Sequence, residues 1–397
     1  MKIGVWLGLD VIKTEGGGAS YQNRLIKLID SYQFDDNVEL CFLSFVPQDG
    51  LSKEVIVLRQ FPSFVYRLAE RWPFLRESLK RLDRRIVRKK GLSRVLEGTE
   101  VKVVYYLFQT VCFDPNFPFV ATNWDIGYMS THAFPELTSP GFYEIRDDFY
   151  KRILPKALMI ICESETGKEE IVKYTNIGEH KIRVMPMFAG EVSSLKVSDE
   201  QMDQMLQAEG LSRNHYFYYP AQFWAHKNHV GLLRAFSEFK KKHGGDYKLV
   251  LSGSNKGNVD YIRNLIRECN LEKDVVLLGF VSEEMVYTLY KNATCLIMAS
   301  HFGPTNMPPI ESMELGCPVI CSDLGGHREI LGDNAIYFNS YDSHSICMAI
   351  IKLVENREEY LERIERQKHE TIFSANHAMI RMNEIMQEVV NIRSNWG

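Results

Sequence analysis

The chain has 397 residues, of which 45% are hydrophobic, 12% aromatic and 25% charged, with a formal net charge of -4. At roughly 100–200 residues per domain two domains are the natural reading, and this composition excludes wholesale disorder, collagen and coiled coil. The acidic balance argues against a generic nucleic-acid binder, and eight cysteines without a CxxC pair read as reduced thiols in a cytosolic setting rather than as a disulfide framework.

The N-terminus carries one lysine and then VWLGLDVI, an apolar run broken by Asp10, which does not make a signal peptide. No stretch approaches the ~18 apolar residues of a membrane-spanning helix. Strands are predicted at 2–9, 38–45, 101–108, 117–124, 157–162 and 181–187, then at 215–222, 247–253, 274–280, 293–300, 317–323 and 335–339. These runs are continuously apolar instead of alternating, which predicts parallel sheets covered on both faces. Helical patterns fill the gaps, as where Tyr21, Leu25, Leu28, Ile29 and Tyr32 recur at helical spacing. The chain therefore reads as two Rossmann-like, doubly wound α/β domains facing across a cleft. A polar segment without strand character at 189–212 sets the expected boundary, giving domains 1–190 and 191–375. Almost everything after 343 is helix-like, and 376–397 is expected to cross back as a C-terminal helix onto the first domain.

Ligands of open α/β sheets bind at the carboxyl ends of strands, so the loops there carry the functional reading. After the first strand, Gly16, Gly17 and Gly18 precede a helix; they form either a flexible turn or a backbone cradle for an anion. They do not make a GxGxxG fingerprint, so a nicotinamide cofactor is not expected. After 117–124 come Asp125 and His132, two polar groups where side chains face a cleft more often than a core; His132 taken alone also fits a structural histidine. After 215–222, Lys227 sits in a strand–loop–helix turn, either as a point charge for a diphosphate or as a solvated lysine. His226 and His229 lie three apart, without a third ligand nearby to suggest a metal. After 293–300, the run GPTNMPPIESMELG places Thr305, Asn306 and Met307 just before a helix opened by Pro308 and Pro309. Glu311 is expected in the first turn of that helix, either as a plain capping carboxylate or as an acceptor for ribose hydroxyls.

Segment 71–94 holds ten Lys and Arg against Glu77 and Asp83, a net charge of +8. Phe74, Leu75, Leu79, Leu82 and Ile86 recur in it at helical spacing. A basic amphipathic helix of this kind lies on an anionic membrane, or is a surface helix whose apolar face meets the core. Nothing in it favours nucleic acid.

The lysine turn AQFWAHKNH, followed about eighty residues later by GPTNMPPIESMELGCPVICSD, resembles retaining glycosyltransferase family four; the glycine turn, NWDIG, SETGKEEI and DLGGHREILGDNAIYF fit the same pattern across nearly the whole chain. The resemblance implies the GT-B fold, with acceptor on the first domain and nucleotide-sugar donor (UDP-, GDP- or dTDP-linked) on the second. It implies that Lys227 neutralises the diphosphate, that the Asn306 and Met307 amides hold phosphate, and that Glu311 binds ribose as the second Glu of a Glu-x7-Glu motif. The first Glu of that motif is Gly303 here, with Thr305 and Asn306 near enough to contact the sugar. Gln222 stands where relatives carry an Arg, and Trp124 replaces the His of a His-Asp pair of which Asp125 remains. The expected enzyme is a metal-independent hexosyltransferase without cofactor, in the cytoplasm or at the inner face of the membrane, acting on a glycan or lipid-linked acceptor in surface polysaccharide biosynthesis. A nucleotide-sugar 2-epimerase of the same fold and a non-catalytic nucleotide-sugar-binding protein are the rival readings.

Overall fold

A computed structural model describes residues 1–8, 17–59, 61–62, 64–65, 73–139, 141–367 and 371–396. Gly16 and the start of the basic segment, Arg71 and Trp72, lie outside them. The first half builds a seven-stranded sheet from β1 (Lys2–Gly8), β2 (Glu39–Ser44), β3 (Val55–Val57), β4 (Val101–Tyr106), β5 (Phe119–Asn123), β6 (Met159–Cys162) and β7 (Ile182–Val184). The second half builds six strands: β8 (Tyr216–Pro220), β9 (Lys248–Ser252), β10 (Val275–Gly279), β11 (Cys295–Met298), β12 (Val319–Ser322) and β13 (Ala335–Phe338). The strand orders are β3-β2-β1-β4-β5-β6-β7 and β10-β9-β8-β11-β12-β13, and the pairs are parallel, as β1 with β4 and β8 with β9. Two doubly wound domains are thus present, as the apolar runs imply. The additional strand is β3, three half-buried residues in a polar stretch, too short for a pattern to reveal.

Both faces of the first sheet are covered, which is why its strands are apolar throughout. Ile3 and Val5 of β1 and Val103 and Tyr105 of β4 pack into one cluster, which continues through Phe188 and Ala189 into the second domain. Trp6, Val104 and Tyr106 point the other way into a second cluster. Each such fully buried side chain contributes about 1.5–3 kcal/mol of burial. The last helix, Ala375–Ser394, does return to the first domain. Asn383 accepts the Asp35 amide at 3.1 Å, Arg381 donates to the Val184 carbonyl at 3.1 Å, and Arg183 pairs with Glu388 at 2.7 Å.

The basic segment forms a helix over Pro73–Lys90. It docks through Lys80, Asp83 and Val87, which are buried, while Phe74, Leu75 and Leu82 are exposed. Much of the apolar stripe predicted from the sequence therefore faces outward. No helix among the described residues is long and apolar enough to cross a membrane.

Strand order reverses between β1 and β4 in one sheet and between β8 and β11 in the other. Gly18, in the helix that follows β1, the Lys227 turn after β8 and the run from Gly303 to Asn306 after β11 meet at these switch points.

Candidate active site

A cavity of about 630 Å³ lies between the domains. Gly18, Trp124, Asp125 and Glu163 line it from the first domain; Gln222, Lys227, Gly303, Thr305, Asn306, Met307 and Glu311 line it from the second. The described residues singled out in the sequence thus converge, with one exception: His132 lines a neighbouring cavity with Thr166, Glu170, His301 and Tyr341. Gly17 opens the helix Gly17–Ser31.

Lys227 ends a short turn, Ala225–Lys227, between β8 and the helix His229–Lys242. Asn228 makes that turn possible by adopting the left-handed conformation, φ 55°, while its side chain caps the helix at Gly231. Tyr219 holds the Lys227 carbonyl at 2.7 Å. His226 bonds Glu136 of the first domain through its amide, 3.0 Å, and through Nδ1, 2.5 Å, so the turn is fixed from both sides of the cleft. Burial, then the neighbouring Lys227 charge, push the His226 pKa down to about 2, which leaves a neutral imidazole. His229 is buried against Tyr219 and Phe223. Among the described residues no group of three or more His, Cys, Asp or Glu is placed to hold a metal ion.

The Lys227 ammonium donates to Asn306 Oδ1 at 3.0 Å. Burial lowers its pKa to about 8, against the opposing pull of Asp125 and Glu136. Asn306 is oriented in turn by His327, a buried residue to which sequence reasoning assigned no role. His327 Nδ1 donates to the Ser322 carbonyl at 2.7 Å, which leaves Nε2 to accept from Asn306 Nδ2 at 3.0 Å. Burial pushes His327 down to about pKa 4, so the neutral tautomer persists. This chain of bonds turns the Asn306 carbonyl oxygen toward the ammonium and its amide away from it.

Asn306 also occupies the N-cap position of the helix Met307–Glu314, yet no side chain caps that helix. An asparagine there would ordinarily satisfy a first-turn amide; here it is committed to Lys227 and His327. Pro308 and Pro309 lack an N–H, so the Met307 amide is the first-turn donor left for a ligand. A cation and a helix N-terminus thus meet at one wall of the cavity, an anion-binding arrangement.

Glu311 is buried on the same helix and accepts from Tyr290 at 2.8 Å. Burial raises its pKa to about 7, opposed by Tyr290 and the Gly190 amide. Gln222 accepts the Trp224 indole N–H at 2.8 Å, which turns its amide N–H toward other partners. Gly303 has φ 131°, and a Cβ there would lie 2.8 Å from Asn306 Nδ2. A side chain at this position, the motif carboxylate included, would be strained in this loop conformation. Two further residues complete the wall: Glu163, directly after β6, which sequence reasoning passed over, and Tyr21, which it read only as part of an apolar helical stripe. Glu163 lies beside a quoted motif, SETGKEEI, but a single carboxylate has no periodic or spacing signal.

Residues 201–370 match the family model described as glycosyl transferases group 1. The chain is 26% identical over 203 residues to the O-antigen chain mannosyltransferase B of Escherichia coli, covering 51% of this chain and 53% of that protein. It is 28% identical over 207 residues to the O-antigen chain mannosyltransferase RfbU of Salmonella typhimurium, again 51% of this chain and 53% of the relative. The chain thus spans about half the length of the curated relatives it matches. Over 98% of both chains the structure resembles a glycosyltransferase from Rickettsia africae, with TM-score 0.71 and 16% identity. It also resembles Anabaena HepE in complex with UDP and glucose, with TM-score 0.68 and 18% identity over 98% and 99% of the two chains. These two likenesses establish the shared fold.

Proposed function

We propose that the protein is a retaining glycosyltransferase that moves a hexose from a nucleotide-sugar donor to a glycan or lipid-linked acceptor in surface polysaccharide synthesis. The observation that carries this reading is the half-buried Lys227 ammonium bonded to Asn306 beside the open Met307 amide. Departure of a nucleoside diphosphate develops negative charge where that cation and amide converge, and preorganised groups in a water-poor cleft stabilise it most effectively. Gln222 adds a neutral donor where relatives place an arginine, and Glu311 accepts from the ribose. The leaving phosphate takes the acceptor proton on the face from which it departs, which retains configuration without a glycosidase-type carboxylate pair. No metal is needed in this scheme. The O-antigen relatives and the fold neighbour that holds UDP support the substrate class.

A thermal-shift screen with UDP-, GDP- and dTDP-sugars in EDTA identifies the donor, since a ligand at a hundred times its Kd stabilises by about 2.7 kcal/mol. Product analysis with and without acceptor follows. Interconversion of the free nucleotide sugar would establish the epimerase instead, and binding with no turnover under any acceptor would establish a binding protein.

The Lys227 pKa sets the alkaline limb of activity. A lysine titrating near 8 in the free protein is charged below that value and neutral above it. Because kcat/KM reports ionisations of the free enzyme, donor kcat/KM is expected to fall about tenfold per pH unit above pH ~8. A profile flat to pH 9.5 would detach Lys227 from donor capture.

The basic helix is proposed to hold the protein on the inner membrane face. Phe74, at 79% exposed, is available to enter the bilayer boundary beside the arginines. Each basic residue near an anionic surface contributes about 1 kcal/mol, screened by salt. Replacing Arg84, Arg85, Arg88 and Lys89 by Gln is expected to release the protein from phosphatidylserine vesicles while turnover of a soluble acceptor persists. Co-sedimentation of the variant equal to wild type across a salt series would assign the helix no membrane role.

A further inference from the structure

Glu163 is 3% exposed and stands at the first-domain wall of the cavity. Its Oε2 accepts from the Thr305 hydroxyl at 2.7 Å, across the cleft, in the same loop as Gly303. Its Oε1 is buried and has no partner among the described residues. Tyr21, also 3% exposed and lining the same cavity, has an equally partnerless phenolic oxygen. Native structures rarely leave such atoms orphaned, because each loses its water without replacement. Two of them on one wall of a cavity point to a ligand that supplies the missing bonds.

The chemistry of that ligand follows from what surrounds it. A diphosphate is held at the opposite wall by Lys227 and Met307, and the Asp125 carboxylate beside Glu163 would repel it. An uncharged polyol suits the wall instead. We propose that Glu163 selects the transferred sugar, its free Oε1 bonding a pyranose hydroxyl or substituent while Thr305 anchors Oε2. This deepens the glycosyltransferase reading and rests on it. The conformation of Gly303 denies its own loop a carboxylate, so the acid reaches the cavity from the facing domain and grips that loop two residues further on. Burial, with Asp125 adding to it, holds the Glu163 carboxyl well above the usual carboxylate range. This shift favours the protonated form, in which a carboxyl can donate as well as accept.

The test uses the full chain, with the isosteric Glu163→Gln beside Glu163→Ala in case the smaller residue impairs folding. Calorimetry gives Kd for UDP, GDP and dTDP; kinetics give kcat/KM for two nucleotide sugars of the preferred base that differ at one hydroxyl, such as UDP-glucose and UDP-galactose or GDP-mannose and GDP-glucose. Both variants are expected to bind the diphosphate within threefold of wild type. The Ala variant is expected to lose about 10–100-fold in kcat/KM for the preferred sugar, and its preference between the two sugars is expected to collapse toward unity. An unchanged preference in both variants overturns the inference while the glycosyltransferase reading stands. So does a parallel loss of diphosphate and sugar affinity, which would make Glu163 a strut between domains. Wild-type protein that binds none of the three diphosphates overturns the reading itself, and this inference with it.

Discussion

Lys227→Ala is expected to lower turnover by about 100- to 1,000-fold while the variant melts at or above the temperature of wild type at pH 7. The magnitude is what loss of one preorganised contact to a developing oxyanion costs in other enzymes, roughly 3–4 kcal/mol. The stability half follows from linkage. The folded-state pKa, about 8, lies below the value of 10.5 for a free lysine. Between those values the unfolded chain binds the proton more tightly, so stability rises with pH through that window and is lowest below it. At pH 7 the folded protein bears the cost of holding a partly desolvated ammonium, and alanine removes it. The bond to Asn306 is lost as well, but the Asn306 amide remains held by His327. A purely structural lysine would behave in the opposite way, with a lower Tm and little change in turnover. Single-turnover kinetics with a saturating donor, beside calorimetric melting, separate the two. Activity within a few-fold of wild type would remove Lys227 from the reaction.

The fold was legible because parallel strands covered on both faces leave long apolar runs, and twelve of them alternate with helical patterns. Much of the cleft was legible because the loops after β8 and β11 carry marked residues: a lysine in a tight turn, and two prolines opening a helix. The network behind them was not. His327 acts through Asn306, 21 positions away, and nothing about a histidine within DLGGHREIL distinguishes an orienting residue from a core one. The outward stripe of the basic helix was ambiguous for a related reason. Helical spacing puts Phe74, Leu75 and Leu82 on one side but does not say which side meets the sheet, and here the buried positions are Lys80, Asp83 and Val87. Gly303 reads as a missing carboxylate in the sequence. In three dimensions it is a backbone requirement, φ 131°, at which a side chain would be strained.

Gly326→Ala is expected to cost about 3 kcal/mol or more of stability and to abolish donor binding, although glycine-to-alanine within a helix ordinarily stabilises by roughly 0.5–1 kcal/mol. Gly326 is buried in the helix Gly325–Leu331, one residue before His327. A Cβ built on it falls directly on the Pro304 carbonyl oxygen, and the atoms it meets there are all backbone. No side-chain rotation relieves such an overlap; either this helix or the loop Gly303–Asn306 must move. The loop is the one that can yield, because side-chain hydrogen bonds hold it: Thr305 donates to Glu163, Asn306 donates to His327, and Lys227 donates to Asn306. Moving it breaks the contacts that orient Asn306 and presents the Met307 amide away from the cleft. The neighbouring Gly325 provides the control. Its Cβ would meet only the Thr166 side chain, at 3.2 Å, so Gly325→Ala should change stability and donor affinity far less. Chemical denaturation and donor titration of the two variants side by side decide the matter. Equal behaviour of the two would mean that helix and loop do not make the close backbone approach on which the geometry of the anion site depends.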